Sequence, residues 1–357
     1  MRSPAADTRI SPVPQMSAHS PQAVLARAIL ARLADPRARR PLIAGVAAVV
    51  LTVSAWGVLN ATDPARLQAS FAGVSWPWVV AAAIAYAATQ VASALVWKVG
   101  LSAGGLGHLR HGHVLSAHWM GLGACELLPA HLGETVRFAA IRRHTVAAEG
   151  GGMRIAGSMG AFKVLDGVVT FAVVAAATVV APLPDGAALI RWAAGSMLVG
   201  LVLAVITLWR IGPTRLSALV PRRVRGVADA FGRGAGLLAC GRSMVIASGF
   251  QLAAIGLRIL SLAALLAAFG LPPAAAPLVF GLMIVSGYLA ISPGGAGIRE
   301  AAVVPVLVAT YGLGAAPVLA FSLGVQAIAL AVSVTGALVA LVLQRRAAAP
   351  APRLAAA

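Results

Sequence analysis

Two stretches place charge beside helix-breaking residues inside apolar sequence: LLPAHLGETVR (127–137) and ISPGGAGIREA (291–301). In each, a proline is followed four positions on by a glycine, Pro129 and Gly133 in the first, Pro293 and Gly297 in the second. A glutamate and an arginine come within the next few positions, Glu134 and Arg137 or Arg299 and Glu300, and Gly294 and Gly295 widen the second break. At membrane depth the backbone can leave helical geometry only where protein or a water-filled cavity satisfies its N–H and C=O groups, so each break predicts a polar cavity. A helix restarting at Gly297 presents amide N–H groups and the positive end of its dipole, and Arg299 adds a full charge. Such a place suits an anion, for example a lipid phosphate. The arginines would hold it, and the carboxylates would balance them or gate the path.

Other ionisable groups fall inside apolar runs, where each costs about 2.5–3.5 kcal/mol on insertion and therefore needs a partner or a purpose. Lys163 and Asp166 are three apart on one helical face and can pair with each other, either to orient the helix or to touch a substrate. Arg258 has no acid within a turn, so its carboxylate must come from elsewhere, with Glu134, Glu300 and Asp166 as candidates. Gln251 falls on nearly the same helical face as Arg258. Glu126, just before the first break, reads as a solvated carboxylate, with a protonated group or a partner of His131 as the alternatives. His108, His111, His113 and His118 read as solvated histidines at an interface, since no carboxylate or thiol recurs with them at ligand spacing. No metal and no cofactor is expected.

The elements that position these residues are set by composition. Of 357 residues 60% are hydrophobic and only 11% charged, with a mean hydropathy of +0.89, more apolar surface than a soluble core could hide. The chain reads as an all-α polytopic membrane protein. Its net charge of +18 sits in arginine clusters between apolar runs, the pattern of cytoplasmic loops facing anionic lipid, which argues against nucleic acid as a partner. Six runs are long enough for a bilayer core of about 30 Å: 42–59, 76–97, 155–181, 188–211, 243–269 and 316–343. Trp56, Trp76, Trp78, Trp97, Trp192 and Trp209 fall near their ends, as interfacial rings do. The first run reads as an uncleaved helix after a basic cytoplasmic segment, 1–41, and the tail 344–357 is cytoplasmic too. Cys125 and Cys240 imply no disulfide framework.

Loop charge orders these runs. Both flanks of 114–133 are basic, so this broken stretch is expected to enter from the cytoplasm and return as a re-entrant hairpin. The second broken stretch, 276–312, fits either a hairpin from the opposite side or two crossings, and the Pro-Gly break favours the hairpin. Each half, 42–181 and 188–343, then holds three spans and one broken element, and an odd number of crossings inverts the second half. That is the plan of secondary transporters, whose paired Gly/Pro-interrupted segments mark the binding site; a chance recurrence of Pro and Gly is the competing explanation.

LLPAHLGETVR, FKVLDGVVTF in the following helix, and SPGGAGIREA together resemble the lysylphosphatidylglycerol synthase transmembrane region, the flippase-like family also called UPF0104, over about residues 42–343. Many relatives have arginine where this chain has Lys163. The resemblance implies a membrane domain that moves a lipid or lipid-linked head group between leaflets of the bacterial inner membrane. Some relatives stand beside pathways for hopanoids or polyprenyl-linked sugars, so anionic, isoprenoid and polyprenyl-linked lipids are all candidate substrates. In the synthases an aminoacyl-transferase domain follows this region; the short segment after the last helix leaves no room for one here, so lysyl transfer is not expected. GxSxG, HExxH and P-loop motifs are absent from the sequence, and no enzymatic activity is expected. A membrane scaffold for lipid or envelope synthesis enzymes is the competing reading.

Overall fold

The computed structural model describes residues 63–128, 133–145, 150–180, 225–289 and 297–348, with Gly295 and short pieces of 192–210. Every regular element among them is helical. Four helices are long and apolar enough to cross a membrane: Trp76–Leu106, Gly151–Ala176, Gly241–Ala268 and Ala315–Arg346. They coincide with four of the six expected spans. The span 42–59 lies outside the described residues, as does most of 188–211, of which 195–203 is helical.

Helix α1 (Pro64–Ala72) starts where Asp63 accepts the Ala65 amide at 2.9 Å and Pro64 fixes the first turn. Helix α2 (Trp76–Leu101) has Pro77 in its first turn and then an Ala/Val-rich run with no breaker before Gly100. It presents Val80 and Ile84 outward and buries Ala82, Tyr86 and Trp97, as expected of a span with lipid on one side and protein on the other. At its end Lys98 bends back to Ser102 and the Gly107 carbonyl.

Helices α3 (His111–Leu127) and α4 (Gly133–Arg142) form a hairpin around the first break. A Cβ on Gly121 would lie 2.7 Å from Arg137 Cβ, while one on Gly133 would overlap the Cys125 amide, so the two limbs run antiparallel at glycine distance. At the base His113 stacks on His144 with ring centroids 3.9 Å apart. The ten described residues of α4 cover about 15 Å, half a bilayer core.

Helix α5 (Gly151–Val180) follows, then α6 (Arg225–Gly234) packed across the start of α5 through Gly157 and Gly234. Helix α7 (Gly241–Ala268) leads to the second broken element, α8 (Ala276–Leu289) and α9 (Ile298–Tyr311), which pack on each other. Each has fourteen described residues, about 21 Å of helix. Helix α10 (Ala315–Ala348) closes the bundle and runs five residues past the expected end at 343.

The contacts sort the ends of these helices. Arg143, just after α4, donates to Gln344 of α10; Gly104 abuts Gly234, and Gly234 abuts Arg154. These arginine-bearing segments therefore share one end of the bundle. At the other end the Ser75 amide donates to the Ala268 carbonyl at 3.0 Å, and Phe71, Phe269 and Phe321 stack edge to face. The α3/α4 hairpin opens at the basic end, since its base is His113 and His144. The α8/α9 hairpin opens at the opposite end, where α7 finishes and α10 begins.

Helices α2 and α7 make the most extensive contact in the fold. Ser75 meets Ala268, the Ser261 hydroxyl donates to the Ala82 carbonyl at 2.8 Å, and Arg258 covers Tyr86. The pairing moves back along one helix as it advances along the other, so the second helix of each expected half runs opposite to its counterpart. One apolar cluster, with Phe171, Leu266 and Phe321, lies toward the far end; the other, with Trp97, Ile141, Ile155 and Leu237, lies toward the basic end. On α7, Ala247 joins the latter and Ile255 the former, which leaves Gln251 between them.

Candidate functional site

The charged residues gather in two groups. In the first, Glu134 on α4 forms ion pairs with Lys163 of α5 at 2.9 Å and with Arg137 at 3.2 Å. Arg137 is buried, and its guanidinium lies 5.6 Å from the Trp97 ring centre. One turn along α5, Asp166 accepts from the Gln251 amide of α7 at 2.5 Å. The expected Lys163–Asp166 pair is thus replaced: the lysine reaches across to the hairpin, and the aspartate is satisfied by a neutral amide. The physical reason is reach, because α4 packs beside α5 and brings a second carboxylate within range of the long ammonium.

The second group comes from α2, α3, α7 and α9. Arg258 stands 4.4 Å over the Tyr86 ring. Glu126, in the last turn of α3, lies within the electrostatic reach of both Arg258 and Arg299, the latter in the first turn of α9. Arg299 Nε and Nη1 are buried and make no hydrogen bond with any described residue. None of the three carboxylates expected to serve Arg258 forms an ion pair with it among the described residues. Its neighbours are a phenol ring and Glu126, so the half-buried Glu126 is not the solvated carboxylate the sequence implied.

Glu300 has a different task. Its carboxylate accepts the Gly297 amide at 2.6 Å and the Ser322 hydroxyl at 3.4 Å. The helix start that looked available to an anion is therefore capped by its own acid. Gly295 and Gly297 hold φ angles of 76° and 85°, a left-handed backbone that favours glycine, and this lets α9 restart with Arg299 turned inward. Pro129, Pro293, Gly294 and His131 lie outside the described residues.

Several participants escaped the sequence. Tyr86 is one of three tyrosines, and a phenol in mid-span is a signal that was available. Its hydroxyl lies 3.5 Å from that of Ser333 on α10. Trp97 is fully buried rather than interfacial, donating to the Ser158 hydroxyl at 3.3 Å. His118 is buried as well, 3.3 Å from the Gln90 amide oxygen, because its face of α3 meets α2.

Long apolar spans, two short broken hairpins and interior charge define a polytopic helical membrane protein. The chain belongs to the family of the lysylphosphatidylglycerol synthase TM region, whose sequence profile matches residues 42–337. That membership places it among membrane proteins of lipid-related processes. Searches of curated proteins and of solved structures returned no match.

Proposed function

We propose that this chain is a lipid transporter rather than an enzyme, carrying an anionic lipid head group between leaflets through the region of Arg258 and Arg299. The observation that supports this reading is Arg299: a guanidinium with two buried, unbonded nitrogens, held beside a helix break by a glycine-dependent turn. A cation kept in that state costs stability unless an anion visits it. Arg258 on α7 and Glu126 at the end of α3 add polar groups within electrostatic reach of Arg299, and an inverted arrangement of the halves would allow access from either side in turn.

In this proposal the basic end faces the cytoplasm of a bacterial inner membrane, with both termini there. Isoprenoid and polyprenyl-linked lipids belong to the substrate class where they carry a phosphate. The partner is membrane lipid, with lipid-synthesis enzymes supplying or consuming it and no role for nucleic acid. The Glu134–Arg137–Lys163 group, whose charges answer one another, favours a second reading in which charge serves architecture and the protein is a scaffold.

Leaflet sidedness of fluorescent lipids in proteoliposomes separates the two. The transport reading expects lipid movement by the wild type, lost by at least about tenfold in Arg299→Ala at equal reconstitution. Equal sidedness in protein-containing and empty vesicles for anionic, isoprenoid and sugar-linked lipids would leave the scaffold.

A further inference from the structure

Helix α6 belongs to neither charged group, and its contacts fix how it lies. A Cβ on Gly150 would stand 3.0 Å from that of Ala230, whereas the next residue, Phe231, sets its carbonyl against Gly157 and its ring 3.5 Å from a Cβ on Gly160. Two consecutive residues of α6 thus touch places about 10–15 Å apart along α5. The helices cross steeply, and since α5 spans the membrane, α6 runs along its surface. Depth follows from the same contacts, because Gly150 precedes the span that begins at Gly151 while Gly160 lies about 14 Å inside it. The Phe231 side of α6 faces the acyl chains, and the Ala230 side faces water.

The side chains are sorted to match. At about 100° per residue, Val227 and Phe231 share one side of α6, and Arg225, Asp229 and Arg233 share the opposite one. Val227 is 49% and Phe231 42% exposed, and both arginines are exposed. A soluble partner could cover that apolar side only by entering the bilayer, which leaves lipid as its occupant; the arginines suit phosphate at the head-group level. We infer that α6 is a surface helix that docks on anionic lipid of the leaflet at the basic end, with Val227 and Phe231 among the acyl chains. The inference goes beyond the transport reading and does not depend on it. Since Gly157 and Gly234 bring α6 and α5 together at backbone distance, the docked helix also fixes the depth at which α5 carries Lys163 and Asp166.

The test is the reactivity of single cysteines along α6 in the full chain, with Cys125 and Cys240 replaced by alanine. The protein is held in lipid nanodiscs, so that an uncharged, water-soluble maleimide reaches both faces. Gly226 and Val227 are neighbours, both exposed, and a side chain at Gly226 meets open space on the Arg233 side. Gly226→Cys is expected to react at least about tenfold faster than Val227→Cys, with Phe231→Cys as slow as the latter, because a thiol among acyl chains neither ionises nor meets the reagent. That ratio is expected to widen at least about threefold when phosphatidylglycerol is added to phosphatidylcholine, and Arg225→Gln with Arg233→Gln abolishes the widening. Equal rates at Gly226 and Val227 would put both sides of α6 in water, open to a protein partner, and overturn the inference. A ratio that phosphatidylglycerol leaves unchanged overturns anionic lipid as the partner. If the double arginine variant does not fold, the comparison of the two lipid compositions decides alone.

Discussion

Arg299 and Arg137 are both interior arginines, yet they stand in opposite energetic positions. Arg137 is buried against Glu134 and Trp97, so removing the carboxylate strands a charge. Glu134→Ala is expected to destabilise the protein by about 3 kcal/mol or more, read as a lowered Tm in detergent. Arg299 has buried nitrogens without bonds, so Arg299→Met is expected to raise Tm while lowering lipid transport, a trade that structural arginines do not show. At this scale the sequence disclosed which residues mattered better than whom they met. Arg258, Lys163 and Asp166 stand out because charge in an apolar run is rare. Their partners, Tyr86, Glu134 and Gln251, come from other helices, and packing rather than spacing chooses them.

The hairpins were legible as elements because proline, glycine and flanking basic charge all bear on the same question. In the structure α3 packs antiparallel on α4, and α8 packs on α9. What sequence could not show is how tightly the limbs approach. A methyl group at Gly133 would overlap the Gly121 carbonyl and Cys125, so Gly133→Ala is expected to cost about 1–3 kcal/mol, measurable as a drop in Tm. The base of this hairpin carries a pH dependence. Burial, then the neighbouring His113 and Arg143, holds His144 below its ordinary value. A histidine depressed in the folded state binds its proton more readily when unfolded, so its contribution is fully present above about pH 6.5 and is lost as pH falls below that. Tm is expected to fall between pH 7 and pH 5, with a shallower slope in His144→Phe; an identical slope would remove His144 from the account.

For the whole molecule, the arginine clusters correctly gathered one set of helix ends, because Arg143 and Gln344 meet there although two hundred residues separate them. The pairing of Arg258 with Tyr86 across α7 and α2 was not legible, since neither residue's run carries a signal of what faces it. The antiparallel course of α2 and α7 makes a direct prediction. With Cys125 and Cys240 replaced by alanine, a disulfide is expected between cysteines at Ser75 and Ala268 on mild oxidation, and none between Ser75 and Arg242. The reverse pattern would mean the two halves are parallel.

An interior anion site at Arg258 and Arg299 is tested most directly by retention of phosphatidylglycerol by the purified protein. Native mass spectrometry would compare the wild type, Arg258→Ala, Arg299→Ala and a variant of the exposed Arg242. The account expects one tightly retained lipid in the wild type and in Arg242→Ala, with at least about tenfold less in Arg258→Ala and Arg299→Ala. Equal retention by all four proteins would contradict it.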